Sequence, residues 1–340
     1  MERGRACFAK EGIMIPKQWY VIMDSTQVRD KPIGVVRMGE KLVFWRNSHG
    51  NVSCLRDKCV HRGVQLSKGK VLGDNLQCPF HGLEYDSAGK VRKIPANGKN
   101  TAVPERFQVF SYPVHEAHGF IWIWWGENPP ANLEPPLFFQ DIDSSLSFAR
   151  VYDHWKIHYS RVIENQLDPV HLPFVHHNTI GRGNRTLVEG PGFQWIDDNR
   201  FYIFVHNRFD DGSLPLKAEQ LPKPDLVKDF KLEFIFPNLW ENYIGKQVRI
   251  VAAFVPIDQE TTILYLRFYQ KFIKISGFKQ LVNNLANIFN LIVAHQDRRV
   301  VVTHQPNASS YQGGEQLIPG DRPIIEYRRR RQELMEKAHQ

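Results

Sequence analysis

The sequence is poor in cysteine. It has four in 340 residues, Cys7, Cys54, Cys59 and Cys78, too few for a disulfide-stapled fold and in keeping with a reducing compartment. No apolar run approaches the ~20 residues needed to cross a bilayer. The longest candidate, 281–294, is broken by Asn283, Asn284, Asn287 and Asn290. The N-terminus shows no apolar core of a secretory signal, so a cytoplasmic protein without a membrane span is expected. A stripe of Lys/Arg interleaved with aromatics is also missing. The balance of 44 basic to 36 acidic residues, +8, is mild, and nucleic acid is not expected as a partner. The one dense basic run, Arg328–Arg331, reads as a solvated helix face or tail. No G-x-G-x-x-G is present, so the chain is not expected to carry a nucleotide cofactor of its own.

What remains is a chain built to fold. Hydrophobic residues at 42% against 24% charged exclude a disordered polymer, and the length exceeds what one core usually fills. Residues 1–13 read as a leader or a disordered N-terminus. From 14 to 128 short strands alternate with turn signals. Examples are Trp19–Met23, Gly34–Arg37, Leu42–Trp45 and Phe120–Trp125, separated by His49-Gly50-Asn51, Ala88-Gly89 and Asn97-Gly98; they predict an all-β module. The Pro-rich stretch 127–136 marks a boundary. From 129 to 340, strands are predicted at 194–207, 231–236, 249–256 and 262–271, with helices over 155–170 and 276–302. The class is α+β, an antiparallel sheet with a long helix against it.

Two Cys/His pairs lie sixteen residues apart, Cys59-Val60-His61 and Cys78-Pro79-Phe80-His81. Two thiolates and two imidazoles would satisfy a tetrahedral zinc. They would equally serve a [2Fe-2S] centre with cysteines on one iron and histidines on the other. The C-x-H spacing favours the second, because the imidazole reaches further than the thiolate from the same short loop. Cys54 alternates with polar neighbours in a probable strand and reads as core.

A second cluster lies in 164–177. Asn165, Asp168 and His171 recur every three residues, down one helix face. His171 and His176 are five apart, about 140° around an ideal helix, so a regular turn cannot aim both at one ion. Pro173 is expected to break or bend the helix between them. A third ligand should be a distant carboxylate, and Asp297 on the C-terminal helix is the best candidate. Two histidines and a carboxylate on one face leave open positions, the pattern of non-haem Fe(II) oxygenases. His177 competes with His176.

These motifs carry a resemblance. CVHRG, the sixteen-residue gap and CPFHG resemble the Rieske pattern C-x-H-x16-C-x-x-H, with Val60 where proline is usual. The run N-x-x-D-x-x-H-x4-H from Asn165 to His176 resembles the mononuclear-iron motif of Rieske non-haem iron oxygenases. From about Met14 to Arg331 the chain resembles their catalytic α subunit. It looks most like the α-only group of dicamba and vanillate O-demethylases, and like soluble relatives of pheophorbide and chlorophyllide oxygenases.

The resemblance implies an N-terminal all-β Rieske domain and a C-terminal helix-grip catalytic domain. Cys59 and Cys78 would bind one iron of a [2Fe-2S] Rieske cluster, and His61 and His81 the other. His171, His176 and Asp297 would ligate a mononuclear Fe(II). Asp168, with Asn165 nearby, would be catalytic, linking His81 of one subunit to His171 of its neighbour in a head-to-tail homotrimer. The implied activity uses O2 to hydroxylate or oxidatively demethylate a small organic substrate, aromatic or cyclic. The alternatives are cis-dihydroxylation on the same metals, or electron transfer without oxygenation. Electrons would come from a ferredoxin or an NAD(P)H-dependent reductase. Residues 14–128 hold 16 Lys+Arg against 10 Asp+Glu, which suits an acidic carrier. By position, 209–229 and 279–291 are expected at the pocket mouth.

Overall fold

The computed structural model describes residues 14–127, 129–222, 231–273 and 276–339. The segment 1–13 read as a leader lies outside them, as does most of the second half of the loop 209–229. The structure is mostly sheet with a few helices, in two compact units, Met1–Pro136 and Leu137–Gln340.

In the first unit the chain lays down β1 (Gln18–Asp24), β2 (Ile33–Arg37), β3 (Glu40–Arg46), β4 (Val52–Arg56), β5 (Lys70–Leu72) and β6 (Asn75–Gln77). β7 (Glu84–Tyr85), β8 (Val91–Lys93), β9 (Ser111–Tyr112), β10 (Val114–Ala117) and β11 (Phe120–Trp125) follow. They form three antiparallel sheets, ordered β1-β11-β10, β2-β3-β4-β9 and β5-β6-β7-β8. Val43, Trp45, Leu55, Leu66, Leu76 and Tyr85 build a core cluster that also takes in Cys59 and Cys78.

The second unit is one antiparallel sheet. Its strands are β12 (Ser147–Trp155), β13 (Leu187–Asp197), β14 (Arg200–Arg208), β15 (Lys231–Ile235), β16 (Leu239–Tyr243), β17 (Val248–Pro256) and β18 (Thr262–Gln270), in the order β12-β18-β17-β16-β15-β14-β13. β17 and β18 are buried at nearly every position, which explains their unbroken apolar runs: both faces are covered, so no alternation survives. The strand predicted over 194–207 is in fact a hairpin. Asp197-Asp198-Asn199 supplies turn chemistry, with Asn199 N–H donating to Asp197 Oδ1 at 2.8 Å.

Among the described residues four helices accompany the sheet: α1 (Tyr159–Leu167), α2 (Leu172–Val175), α3 (Ser276–Val301) and α4 (Arg322–His339). α1 is shorter than the predicted 155–170. Trp155 still belongs to β12, His158 caps the helix by accepting from Ser160 N–H, and Asp168 precedes a proline, which disfavours helical backbone. α3 matches its prediction closely and packs on β12 and β18.

α4 overturns the reading of Arg328–Arg331. Arg328, Arg330 and Arg331 are buried. Arg328 forks onto Glu164 with Nε–Oε1 at 2.7 Å and Nη2–Oε2 at 3.0 Å, and reaches Glu315 at 2.6 Å. Arg161 joins through Glu164 at 2.9 Å and Glu315 at 2.8 Å. Two guanidinium groups and two carboxylates thus clamp α4 to α1.

Candidate metal centres

The first centre rises from two like loops. After β4, Cys59 N–H donates to Val64 O and Gly63 N–H returns to Cys59 O. After β6, Cys78 N–H donates to Leu83 O and Gly82 N–H returns to Cys78 O. Both loops close at a glycine with positive φ, 74° at Gly63 and 72° at Gly82, a conformation that a side chain resists. The result is a matched pair of fingers. Cys59 and Cys78 are buried at 3% and 2% exposure, while His61 and His81 sit exposed with ring centroids 4.7 Å apart. Phe80 beside them is exposed at 54%.

The polar groups around the sulfurs suit thiolates. Tyr85 Oη lies 3.1 Å from Cys59 Sγ and accepts from Val60 N–H. Burial pushes the Cys78 thiol up, and backbone N–H groups of Phe80 and His81 oppose that rise by favouring the anion. These donor types in this arrangement fit a two-iron cluster, buried sulfurs on one side and outer imidazoles on the other. With a metal-bound thiolate at Cys59, the Tyr85 hydroxyl becomes a donor, and hydrogen bonds to cluster sulfurs raise the potential. Tyr85→Phe is therefore expected to lower the cluster's reduction potential by on the order of 50 mV. Potentiometric titration followed by EPR measures it, and an unchanged midpoint removes that role from Tyr85.

The second centre gathers in the other unit. Asp168 and His171 flank the break between α1 and α2, and Pro169 ends α1. Pro173 was expected to interrupt a helix between His171 and His176; instead it occupies the first turn of α2, where a missing N–H costs nothing. His171 and His176 bracket that single turn as its two caps, which lets residues five apart converge. Asp297 comes from the last third of α3. Its Oδ1 is 2.8 Å from His176 Nε2 and 3.4 Å from His171 Nε2. Among the described residues, this is the group of three whose donor atoms all fall within 4.8 Å. His176 is buried, whereas His177 is exposed and turned to Phe174 O.

Three residues that sequence reasoning missed set the chemistry of His176. Gln296 Nε2 donates to Asn178 Oδ1 at 2.7 Å, so its Oε1 faces Thr179 Oγ1 at 2.7 Å and His176 Nδ1 at 2.8 Å. The proton of His176 is thereby held on Nδ1, leaving an Nε2 lone pair directed at a carboxylate oxygen. Asp297 Oδ1 is itself buried without a hydrogen-bond partner. Lone pair against anion at that distance calls for a cation between them. The donor set fits a divalent metal. No pattern in the sequence marks Asn178 or Thr179; Gln296 is adjacent to Asp297 but carries no motif.

Asp168 reaches the site from the other side. Its Oδ1 accepts from Val170 N–H at 2.6 Å and its Oδ2 stands 3.6 Å from His171 Nδ1. Asn165 is buried on α1 with its Nδ2 unpartnered. Burial alone would pull the His171 imidazole down, but the Asp168 and Asp297 carboxylates overcome it and push it up to about 9. For Asp297 burial works upward, and the two histidines win and lower it. A metal needs neutral imidazole, so it must displace that His171 proton. Affinity for Co(II), a redox-stable probe, is expected to rise roughly tenfold per pH unit from about pH 6 to about 9 and level off above. A flat profile in anaerobic titrations counts against the assignment.

The triad forms part of the wall of a cavity of about 460 Å³. Apolar residues from alternate positions of the sheet line it, among them Val205, Leu232, Trp240, Ile250, Leu264 and Leu266. Phe289 and Asn290 of α3 also line it, in agreement with the expectation for 279–291; none of the described residues 209–222 does.

Residues 18–113 match the Rieske [2Fe-2S] domain, and residues 155–337 match the vanillate O-demethylase oxygenase C-terminal domain. A vanillate O-demethylase oxygenase subunit from Pseudomonas sp. is 34% identical over 187 residues, 52% of this chain and 49% of that one. The oxygenase component of dicamba O-demethylase from Stenotrophomonas maltophilia is 33% identical over 182 residues, 51% and 52% of the two chains. The chloroplastic protein TIC 55 of Pisum sativum is 28% identical over 207 residues, 58% of this chain but 36% of its own. The matched stretches thus span about half, or less, of these relatives' length. Among solved structures, the QL mutant of Pseudomonas putida CBB5 NdmA with theobromine superposes with a TM-score of 0.74 at 23% identity, covering 94% of this chain and 90% of that one. Dicamba monooxygenase bound to dicamba gives 0.69 at 19%, covering 97% and 100%. At those identities the likeness speaks for the fold.

Proposed function

The chain belongs to the vanillate O-demethylase oxygenase family, with a Rieske domain ahead of that family's C-terminal domain, and from that premise we propose that it is a Rieske-type terminal oxygenase. It uses O2 and external electrons to hydroxylate or oxidatively demethylate a small aromatic or cyclic substrate. The observation that carries this reading is the compact His171–His176–Asp297 triad on the wall of a largely apolar cavity. An electron carrier would need neither.

Cys59, His61, Cys78 and His81 would hold the cluster, and the triad would hold Fe(II). When bound, the cluster supplies single electrons and the ferrous ion a site for O2. The chain's own groups do the rest. Gln296 holds the His176 proton at Nδ1, and the Asp168 carboxylate, 3.6 Å from His171 Nδ1, favours a proton there by its charge, so both imidazoles present Nε2. Apolar strand residues exclude water around the reacting carbon. Asp168 and Asn165 carry the catalytic roles at the electron-entry side, with Asp168 facing His81 of a neighbouring copy in a head-to-tail homotrimer. A ferredoxin or NAD(P)H-dependent reductase supplies electrons, attracted by the basic surplus of residues 14–128. The cytoplasm is the compartment this reading assigns. Among the described residues no helix is long and apolar enough to cross a membrane.

The test is twofold. Anaerobically reconstituted protein should hold about three irons per chain. With a surrogate reductase and ¹⁸O2, demethylation of aromatic methyl ethers should place the label in the released formaldehyde, trapped before it exchanges with water, while the phenol keeps the ether oxygen; ring hydroxylation should label the new hydroxyl. Two irons, or label-free products across such a panel, would retire the oxygenase reading.

A further inference from the structure

Four buried polar atoms of the cavity's lining residues lack any hydrogen-bond partner: His171 Nδ1, Asp297 Oδ1, Asn165 Nδ2 and Asn290 Nδ2. The first two belong to the metal triad. The third sits on α1, three residues before Asp168. Asn290 stands apart. It lies on α3 seven residues before Asp297, two turns and about 10 Å along the axis, on the same cavity-facing stripe as Val293, Ala294 and Asp297. Its residue is 9% exposed. A carboxamide kept from water with an unmet donor is costly, and nothing in the metal chemistry accounts for it.

The surroundings state what would satisfy it. The neighbouring lining is apolar, with Phe289 beside it in sequence and Val293 one turn on. Lining carboxylates are confined to the metal end, Asp168 and Asp297. The lining cations Arg182 and Arg185 are exposed. Nothing at the Asn290 end would compensate a cationic ligand. The lining amide of Asn207 already donates to Pro169 O, and the Trp240 indole N–H to Asn242 Oδ1. Asparagine χ2 is soft, so the Asn290 amide can turn to a ligand oxygen without moving the helix.

We infer that Asn290 is a specificity-determining residue whose amide donates to an oxygen acceptor of the substrate, on the side away from the reacting carbon. The substrate class follows. It is a compact ring compound, neutral or anionic, with the reacting group at the triad and a carbonyl, carboxylate or similar oxygen roughly one ring-width away. This rests on the oxygenase reading for which end reacts, but the binding itself needs neither electrons nor O2.

The experiment measures binding to the iron-loaded protein under anaerobic, oxidised conditions, with probes that differ only in the acceptor. 4-Methoxyacetophenone is compared with 4-isopropenylanisole, in which a methylene replaces the carbonyl oxygen. 4-Methoxybenzoate and 4-methoxybenzylamine add the anionic and cationic arms. The wild type should bind the ketone or the carboxylate about 10- to 100-fold tighter than the methylene analogue, and the amine weakest. Whichever of ketone and carboxylate is preferred identifies the acceptor as neutral or charged. Asn290→Leu should shrink the ratio to within about twofold by weakening the oxygen-bearing probe while the methylene analogue binds as before. Asn290→Asp should repel the benzoate selectively. A wild type with no preference, a preference that survives Asn290→Leu, or no binding of any probe would overturn the inference. If the preference and its loss are seen but no probe is oxidised when reductant and O2 are added, the inference about Asn290 holds and the oxygenase reading fails.

Discussion

Replacing Asp168 by asparagine is expected to leave both metal centres loaded while cutting substrate turnover by on the order of 100-fold or more. The carboxylate is not a member of the triad: one oxygen is tied to Val170 N–H and the other lies 3.6 Å from His171 Nδ1. A ligand set of His171, His176 and Asp297 therefore survives the change. What is lost is an anion beside His171 Nδ1, whose charge favours a proton on that nitrogen. An amide can accept in that place but carries no charge, and it can present N–H instead of oxygen. Iron content and the EPR spectrum of the reduced cluster should match the wild type. In a single turnover with substrate and O2, the variant's cluster should stay reduced. Wild-type turnover with full metal content would show that Asp168 is only a cap of α1.

The second large effect is on stability. Arg328→Ala should destabilise the unit Leu137–Gln340 by about 3–5 kcal/mol, the cost of leaving a buried charge without its partner. Glu164 is 4% exposed and takes two parallel hydrogen bonds from Arg328. After truncation it keeps only Arg161. Arg328→Lys should recover part of the loss, because a single ammonium cannot match the fork. Thermal unfolding of metal-loaded protein gives the comparison, and a melting temperature within a degree of wild type for Arg328→Ala would contradict the account. Because α1 leads directly into the turn that carries His171 and His176, metal retention should fall alongside stability.

That same cluster shows why some of the molecule was opaque in sequence. Arg328 and Glu164 are separated by 164 residues, and four consecutive arginines next to a chain end look solvated until a buried acid is placed beside them. The candidate metal residues were legible for the opposite reason. Cys59, His61, Cys78 and His81 lie in two short loops, and Asn165 to His176 in one segment, so the chemistry is written locally. Asp297 is intermediate: only its pairing with a distant histidine motif distinguishes it from an ordinary helix carboxylate. The sheet side of the cavity wall was not legible. Leu232, Trp240, Ile250, Leu264 and Leu266 come from strands covered on both faces, where the alternation that would tell inside from outside is erased. The hairpin at Asp197-Asp198-Asn199 was hidden by the apolar residues of β13 and β14 running on either side of it.

Gln296 and Asp297 are consecutive on α3, one steering the imidazole of His176 and the other standing opposite its free nitrogen. A slide or twist of that helix therefore cannot shift the acid while leaving the ring's protonation state behind. The two adjustments are geared together, so a displacement of α3 would change the acid's position and the ring's hydrogen bond at once. The other side of the same helix is exposed and apolar at Leu285, Ile288 and Ile292.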